Sequence, residues 1–306
     1  NYWGDRHAYQ RVNYRMITND AARTAALLAG DVEIIDQVPT SDLANLRRDQ
    51  RVALSEITGL RLIYLGLDFL RGPDENSPFI TDNDGRPLGR NPLRDVRVRR
   101  ALSMAIDRRA IVDRIMEGAA VPASQFLPEG VQGHVADVRV PPFDPDGARQ
   151  LLREAGYPNG FRIQLNGPND RYINDARIIQ AVGQMWTRIG VRTTVEAQPW
   201  TTFVGRAGRQ DFSVFLIGWG SNPDGSHPLR NILATVNRDR GWGPSNRGRY
   251  SNPQVDALLE QSLVEMNEPR RLDLVLQAQR VAAEDVGVIP LHIQTNIWAM
   301  RRSIQH

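Results

Sequence analysis

Apolar residues recur at three- and four-residue spacing in several windows of the chain, and each window opens on a side chain able to cap a helix. Between Asn91 and Gly118, Asp95 precedes Val98, Ala101, Leu102 and Ala105. Asp107 then precedes Ile111, Val112 and Ile115, and Gly118 closes the pattern. This spacing predicts two short amphipathic helices, or one with a break near Asp107. Upstream, Thr18, Asn19 or Asp20 offers a cap for Ala21–Ala29, with Gly30 as the stop, and Ser41 or Asp42 offers one for a helix ending near Arg48. Downstream, Asp144-Pro145, Asp175, Asn252-Pro253 and Glu268-Pro269 each open a helical pattern. Alternation predicts strands at 11–17, 32–35, 60–69, 161–165, 191–195, 211–219 and 289–300. Residues 144–219 therefore run helix, strand, helix, strand, short helix around Phe203, strand. That rhythm predicts a three-layer α/β lobe with mixed or parallel pairing. Gly-, Pro- and Asn-rich stretches at 71–94 and 220–253 are expected to be mostly loop.

Composition narrows the function classes. The 306 residues are 41% hydrophobic, enough for one large or two modest cores. With 38 basic and 35 acidic residues the formal charge is only +3, a weak case for a nucleic-acid partner. The arginines at 97, 99, 100, 108 and 109 interleave with Asp95, Asp107 and Asp113, which predicts a solvated, internally paired face. Cysteine is absent, so disulfides and thiol chemistry are excluded. No apolar run approaches the roughly 20 residues that span a bilayer. The chain opens on Asn1-Tyr2-Trp3-Gly4 rather than a signal peptide, and reads as a processed product or a fragment. His7, His134, His227 and His292 are scattered, and HExxH, phosphate-loop, GxGxxG and GxSxG patterns are missing. The DNDG at 82–85 lacks the oxygen spacing of a calcium loop and reads as a turn. Binding without catalysis, cofactor or metal is the expectation.

Longer patterns carry a resemblance. The run RVRRALSMAIDRRAIVDRIMEG at 97–118 is similar to a signature of family 5 extracellular solute-binding proteins, the dipeptide and oligopeptide receptors of ABC importers. Further pieces follow in that family's order: DAARTAALLAGDVEII at 20–35, PASQFLP at 122–128, DPDGARQLLREAGYPNG at 144–160, QMWTRIGVRTTVE at 184–196, GWG at 218–220 and IPLHIQ at 289–294. The resemblance implies a periplasmic-binding-protein-like type II α/β fold, with one complete lobe and part of the other. Residues 1–60 and 289–306 would belong to the first lobe, and residues 61–288 would form the second. Hinge strands are expected near 60–69 and 289–300. It further implies a periplasmic location, a peptide or similar small solute held in an interlobe cleft, and a membrane ABC permease as partner. The N-terminal part of such receptors is expected as a companion chain or as a portion lost, with weak solute affinity for residues 1–306 alone.

The stretch GWGSNPDGSHPLRN at 218–231 is the sharpest candidate site. Trp219 ends a strand, where a flat ring lies beside exposed backbone groups, and Gly220 and Ser221 continue it; this suits an extended ligand backbone. Peptide receptors of the family resemble GWxxD here, and that Asp receives the peptide ammonium. This chain has Asn222 at the Asp position, an amide that cannot neutralise a charge, with Asp224 two residues on. The departure leaves room for modified peptides, opine-like compounds or oligosaccharides. Trp200, Tyr172 and Arg171 fall in loops near strand ends, and Arg171 or Arg230 can meet a carboxylate.

Overall fold

Side-chain caps decide where most helices start. In the computed structural model, which describes Gly4 and residues 9–304, the chain begins its regular structure at Asn19. Asn19 accepts the Ala22 N–H and opens α1 (Asp20–Ala29), and Gly30 closes it in the left-handed region. There follow β1 (Ile34–Ile35), α2 (Thr40–Arg48), β2 (Val52–Leu67) and β3 (Ile80–Thr81). Asp95 accepts the Arg97 N–H and opens α3 (Val96–Met104). Asp107 does the same through Ala110 for α4 (Arg108–Ala110), which widens into a π turn over Ile111–Ile115. The Gly118 N–H bonds Val112 O at 2.9 Å and ends it. Next come β4 (Ala120–Pro122), α5 (Pro145–Glu154, capped by Asp144), β5 (Phe161–Pro168), α6 (Asp175–Arg188) and β6 (Val191–Gln198). The chain continues through α7 (Trp200–Gly208), β7 (Val214–Gly220) and α8 (Ser226–Pro228), which runs on as a π turn over Leu229–Leu233. It finishes with α9 (Pro253–Val264, capped by Asn252), α10 (Glu268–Glu284, capped by Asn267) and β8 (Ile289–Arg301).

Contacts divide the chain into a smaller unit, Asn1–Glu56 with Ile297–His306, and a larger one, Ile57–Asn296. In the smaller unit β1 pairs antiparallel with the end of β8, Ile34 opposite Met300. Leu27, Ile35, Val38, Leu43, Leu46 and Ala299 form its core. Two expectations are corrected here. No strand forms over 11–17: Val12, Tyr14 and Met16 are 81%, 78% and 87% exposed, because alternation makes a strand only where a sheet edge is available to pair. Neither Ser41 nor Asp42 caps α2; Pro39 holds the cap position, and Asp42 instead accepts from Thr24 Oγ1 at 2.6 Å, tying α2 to α1. Residues 1–3, at the start of the expected aromatic turn, lie outside the described residues.

The larger unit is built on β5. Strand β6 runs parallel along one edge, from Phe161 opposite Val191 to Pro168 opposite Gln198. Strand β7 joins the other edge, also parallel, and pairs antiparallel with β2 from Arg61–Gly220 to Leu67–Val214. The crossovers through α6 and α7 proceed in opposite directions across β5, so right-handed connections put the two helices on opposite faces. Packing agrees. Gly167 and Gly183 let α6 approach, since a Cβ at 183 would stand 2.6 Å from Val195 Cγ2. On the other face Phe203 of α7 stacks on Phe212, ring centroids 5.4 Å apart. The expected three layers are present, with mixed pairing.

The arginine-rich helices depart from expectation. Arg97–Asp95 and Arg109–Asp113 are surface pairs at 2.6 and 2.7 Å. Arg99 and Arg108, however, are each only 3% exposed. Arg99 bonds Leu93 O, Arg94 O and Asp285, and Arg108 bonds Ser103 O and Pro290 O. Burial without a carboxylate lowers the Arg108 pKa to about 10. These two guanidiniums staple loops through carbonyls rather than facing water. The stretch at 220–253 is mostly loop, as expected, and is interrupted by one helical segment over 226–233 whose Leu229, Ile232 and Leu233 are buried.

Candidate functional site

Parallel pairing brings the carboxyl ends of β5, β6 and β7 to one edge of the sheet, the position where open α/β sheets take ligands. The loops leaving β5 and β6 are fixed by carboxylates. Asp170 accepts the Trp200 N–H at 2.7 Å. Asp175, 3% exposed, accepts the N–H groups of Arg171 and Tyr172 at 3.0 and 2.9 Å through one oxygen. Burial pushes the Asp175 carboxyl above the usual carboxylate range, against those bonds. The Tyr172 and Trp200 rings then meet edge-on at 6.1 Å, with the Arg171 guanidinium 5.2 Å from the Trp200 ring. Tyr172 Oη donates to Gly218 O at 3.3 Å and so reaches β7. Position 218 must be glycine for this, since a Cβ there would stand 2.7 Å from Tyr172 Cε1 and 2.8 Å from Ile63 Cδ1. Arg171, Tyr172 and Trp200, expected near strand ends, are therefore one cluster joined to the end of β7.

The second group surrounds the turn after β7. Trp219 lies opposite Leu62 in the sheet and against the His227 ring, centroids 5.5 Å apart. Gly220 is exposed, and the Ser221 N–H bonds Leu60 O at 2.8 Å, which extends the β2 pairing by one residue. Asn222 Oδ1 accepts the Asp224 N–H at 3.2 Å. Asp224 accepts the Ser226 N–H and Oγ–H at 2.9 and 3.1 Å, so its carboxylate serves α8. Beyond this turn opens a cavity of about 590 Å³ between residues 222–230 and the α9–α10 turn, lined among others by Asn222, Asp224, Arg230, Ser262, Glu268 and Arg271. Of the expected site residues, Asn222, Asp224 and Arg230 line this cavity. Trp219, Gly220, Ser221, Trp200, Tyr172 and Arg171 do not.

Four buried atoms in this region have no hydrogen-bond partner among the described residues: Trp219 Nε1, Ser221 Oγ, His227 Nδ1 and Arg230 Nε. His227, Ser262, Glu268 and Arg271 had no place among the expected site residues. In sequence the α9–α10 turn is marked by the helix start at Glu268-Pro269, which Asn267 caps, and nothing local links it to position 222. Among the described residues no cluster of three or more His, Cys, Asp or Glu is placed to hold a metal ion.

Residues 1–239 match the family of bacterial extracellular solute-binding proteins, family 5, middle region. Heme-binding protein A of Haemophilus influenzae is 31% identical over 300 residues, covering 95% of this chain and 50% of that protein. The dipeptide-binding protein of Escherichia coli K12 is 24% identical over 308 residues, covering 99% and 54%. The chain thus spans about half the length of these relatives. The ABC transporter-associated periplasmic binding protein DppA of Helicobacter pylori, solved with the peptide STSA, superposes with a TM-score of 0.81 at 20% identity over 95% of this chain and 52% of that one. The fold is the type II periplasmic-binding-protein arrangement, one lobe complete and the other in part, and the chain belongs to the family 5 extracellular solute-binding proteins.

Proposed function

We propose that this chain is the solute-binding component of an ABC importer, working in the periplasm and handing a peptide or a related small solute to a membrane permease. One observation carries the reading: Trp200, Tyr172 and Gly218 are tied together at the carboxyl ends of three parallel strands. That edge sets an aromatic cluster beside the backbone at the end of β7, which suits a ligand with an extended backbone and varied side groups. In this reading residues 1–60 and 289–306 belong to the first lobe and 61–288 form the ligand-binding lobe. Strands β2 and β8, which pass from one compact unit to the other, are the connecting segments. Trp219, Gly220, Ser221, Asn222, Asp224 and Arg230 contribute with Arg171, Tyr172 and Trp200. The action is capture without turnover, with closure driven by contacts the ligand makes in the closed state only. An opine- or oligosaccharide-like solute is the alternative within the same site, favoured by the neutral Asn222.

A haem-type ligand is a second reading, supported by the name of the 31% identical relative. Thermal-shift titration of the full-length natural protein tests both. Expected is a saturable rise in melting temperature with short peptides and no new product on chromatography of the peptide. A product peak would overturn capture. A response to haemin, followed by its visible absorbance, with none to peptides would move the assignment to the second reading.

A further inference from the structure

We propose that the cavity beyond β7 receives the anionic end of its ligand, with Arg230 as the receiving group, and that no carboxylate there is set aside for a ligand ammonium. The inference rests on the solute-binding reading above and names the chemistry of that site.

Unused hydrogen-bonding capacity distinguishes the groups around the cavity. Asp224 already accepts the Ser226 N–H and hydroxyl, which hold the turn leading into α8. Asn222 is neutral, and its Oδ1 accepts the Asp224 N–H. Glu268 is exposed at the start of α10, where water satisfies it at little cost, and Arg271 lines the cavity three residues later as an exposed guanidinium of opposite sign. Arg230 is different. It is partly buried, and its Nε is sealed from solvent with no acceptor among the described residues. No ion pair or hydrogen bond of its guanidinium is found among them either. An Arg side chain only donates, so what Arg230 lacks is an acceptor. Arg271, the other lining guanidinium, already donates to Glu265 O at 3.2 Å. Arg230 is thus a lining cation without a partner among the described residues, while Asp224 is engaged and Glu268 is open to water. A carboxylate supplies the missing acceptor; an ammonium group supplies another donor.

Three probes separate the possibilities on the full-length natural protein: Ala-Phe, N-acetyl-Ala-Phe and Ala-Phe-amide, titrated calorimetrically. Expected is that N-acetylation changes affinity less than about threefold, whereas amidation weakens it about tenfold or more, the worth of a charge-assisted bond. Arg230→Gln should bring the acid down to the level of the amide, and Arg230→Lys should keep part of the preference; circular dichroism checks that both variants fold. The proposal is overturned if N-acetylation costs more than amidation, or if Arg230→Gln leaves the acid preference intact. Binding of all three without discrimination overturns it while leaving the peptide reading standing. Binding of none overturns the peptide reading and this inference together.

Discussion

At the residue scale, burial and packing set what individual side chains are able to do. His292 on β8 is fully buried, and neither ring nitrogen has a hydrogen-bond partner among the described residues. Burial alone lowers its pKa to about 4, so the folded state holds it neutral. The unfolded chain takes up that proton near pH 6.5. The stability His292 permits is therefore complete above that value and falls as pH drops from about 6.5 to 4, by an amount on the order of 3 kcal/mol. His292→Leu should flatten the acid limb of a pH series of urea midpoints without lowering the midpoint at pH 8; an unchanged slope between pH 6.5 and 4 would contradict this. Gly218 gives the second test at this scale. A methyl there enters the Tyr172 ring and Ile63, neither of which can withdraw from the core without loss. Gly218→Ala is expected to cost about 1–3 kcal/mol, the range of overpacked cores, read as a lower denaturant midpoint at unchanged slope.

At the element scale, helix starts were legible and partnerships were not. Asn19, Asp95, Asp144 and Asn252 cap because the bond runs to a backbone N–H two or three residues away, which spacing alone encodes. Removing one such cap tests that economy: Asp144→Ala should cost about 1 kcal/mol in chemical denaturation, with Asp144→Asn recovering most of it. The strand expected at 11–17 needed a neighbouring edge, and alternation carries no information about neighbours. Arg99 is the sharper case. In sequence it is one of five similar arginines; in the fold its guanidinium reaches Asp285, 186 positions away, and the loop carbonyls of 93 and 94. Arg99→Ala should therefore cost about 1–3 kcal/mol, because the loop carbonyls of 93 and 94 lose their donor, whereas Arg97→Ala on the same helix should leave the denaturant midpoint nearly unchanged. Equal effects would mean the pairing at Asp285 contributes little. The candidate site follows the same division. Trp200, Tyr172 and Arg171 could be placed together because the helix–strand rhythm puts every loop after a parallel strand at one edge. The cavity wall from Ser262 to Arg271 could not, since it depends on how the α9–α10 hairpin lies against residues 222–230.

At the scale of the whole chain, the two compact units differ in how much apolar surface they bury. The larger contains the continuous core from Leu62 to Ile293, around β5, β7 and α6, while the smaller relies on a short list centred on Leu27, Leu43 and Leu46. Opening free energy follows buried apolar contact, so the smaller unit should open first. Native-state amide exchange in rising guanidinium tests this directly. Amides of α1 and α2 should converge on one opening isotherm, and those of β5 and α6 on another of higher free energy. Residues 11–17, which pair with no strand, should exchange at the earliest time point. Strands β2 and β8 belong to both units, so their amides should divide, with those near Val52 and Met300 following the lower isotherm and those near Leu65 and Leu291 the higher. A single isotherm for every protected amide would show that these two strands couple the units into one cooperative fold, and the division by contacts would then have no energetic counterpart.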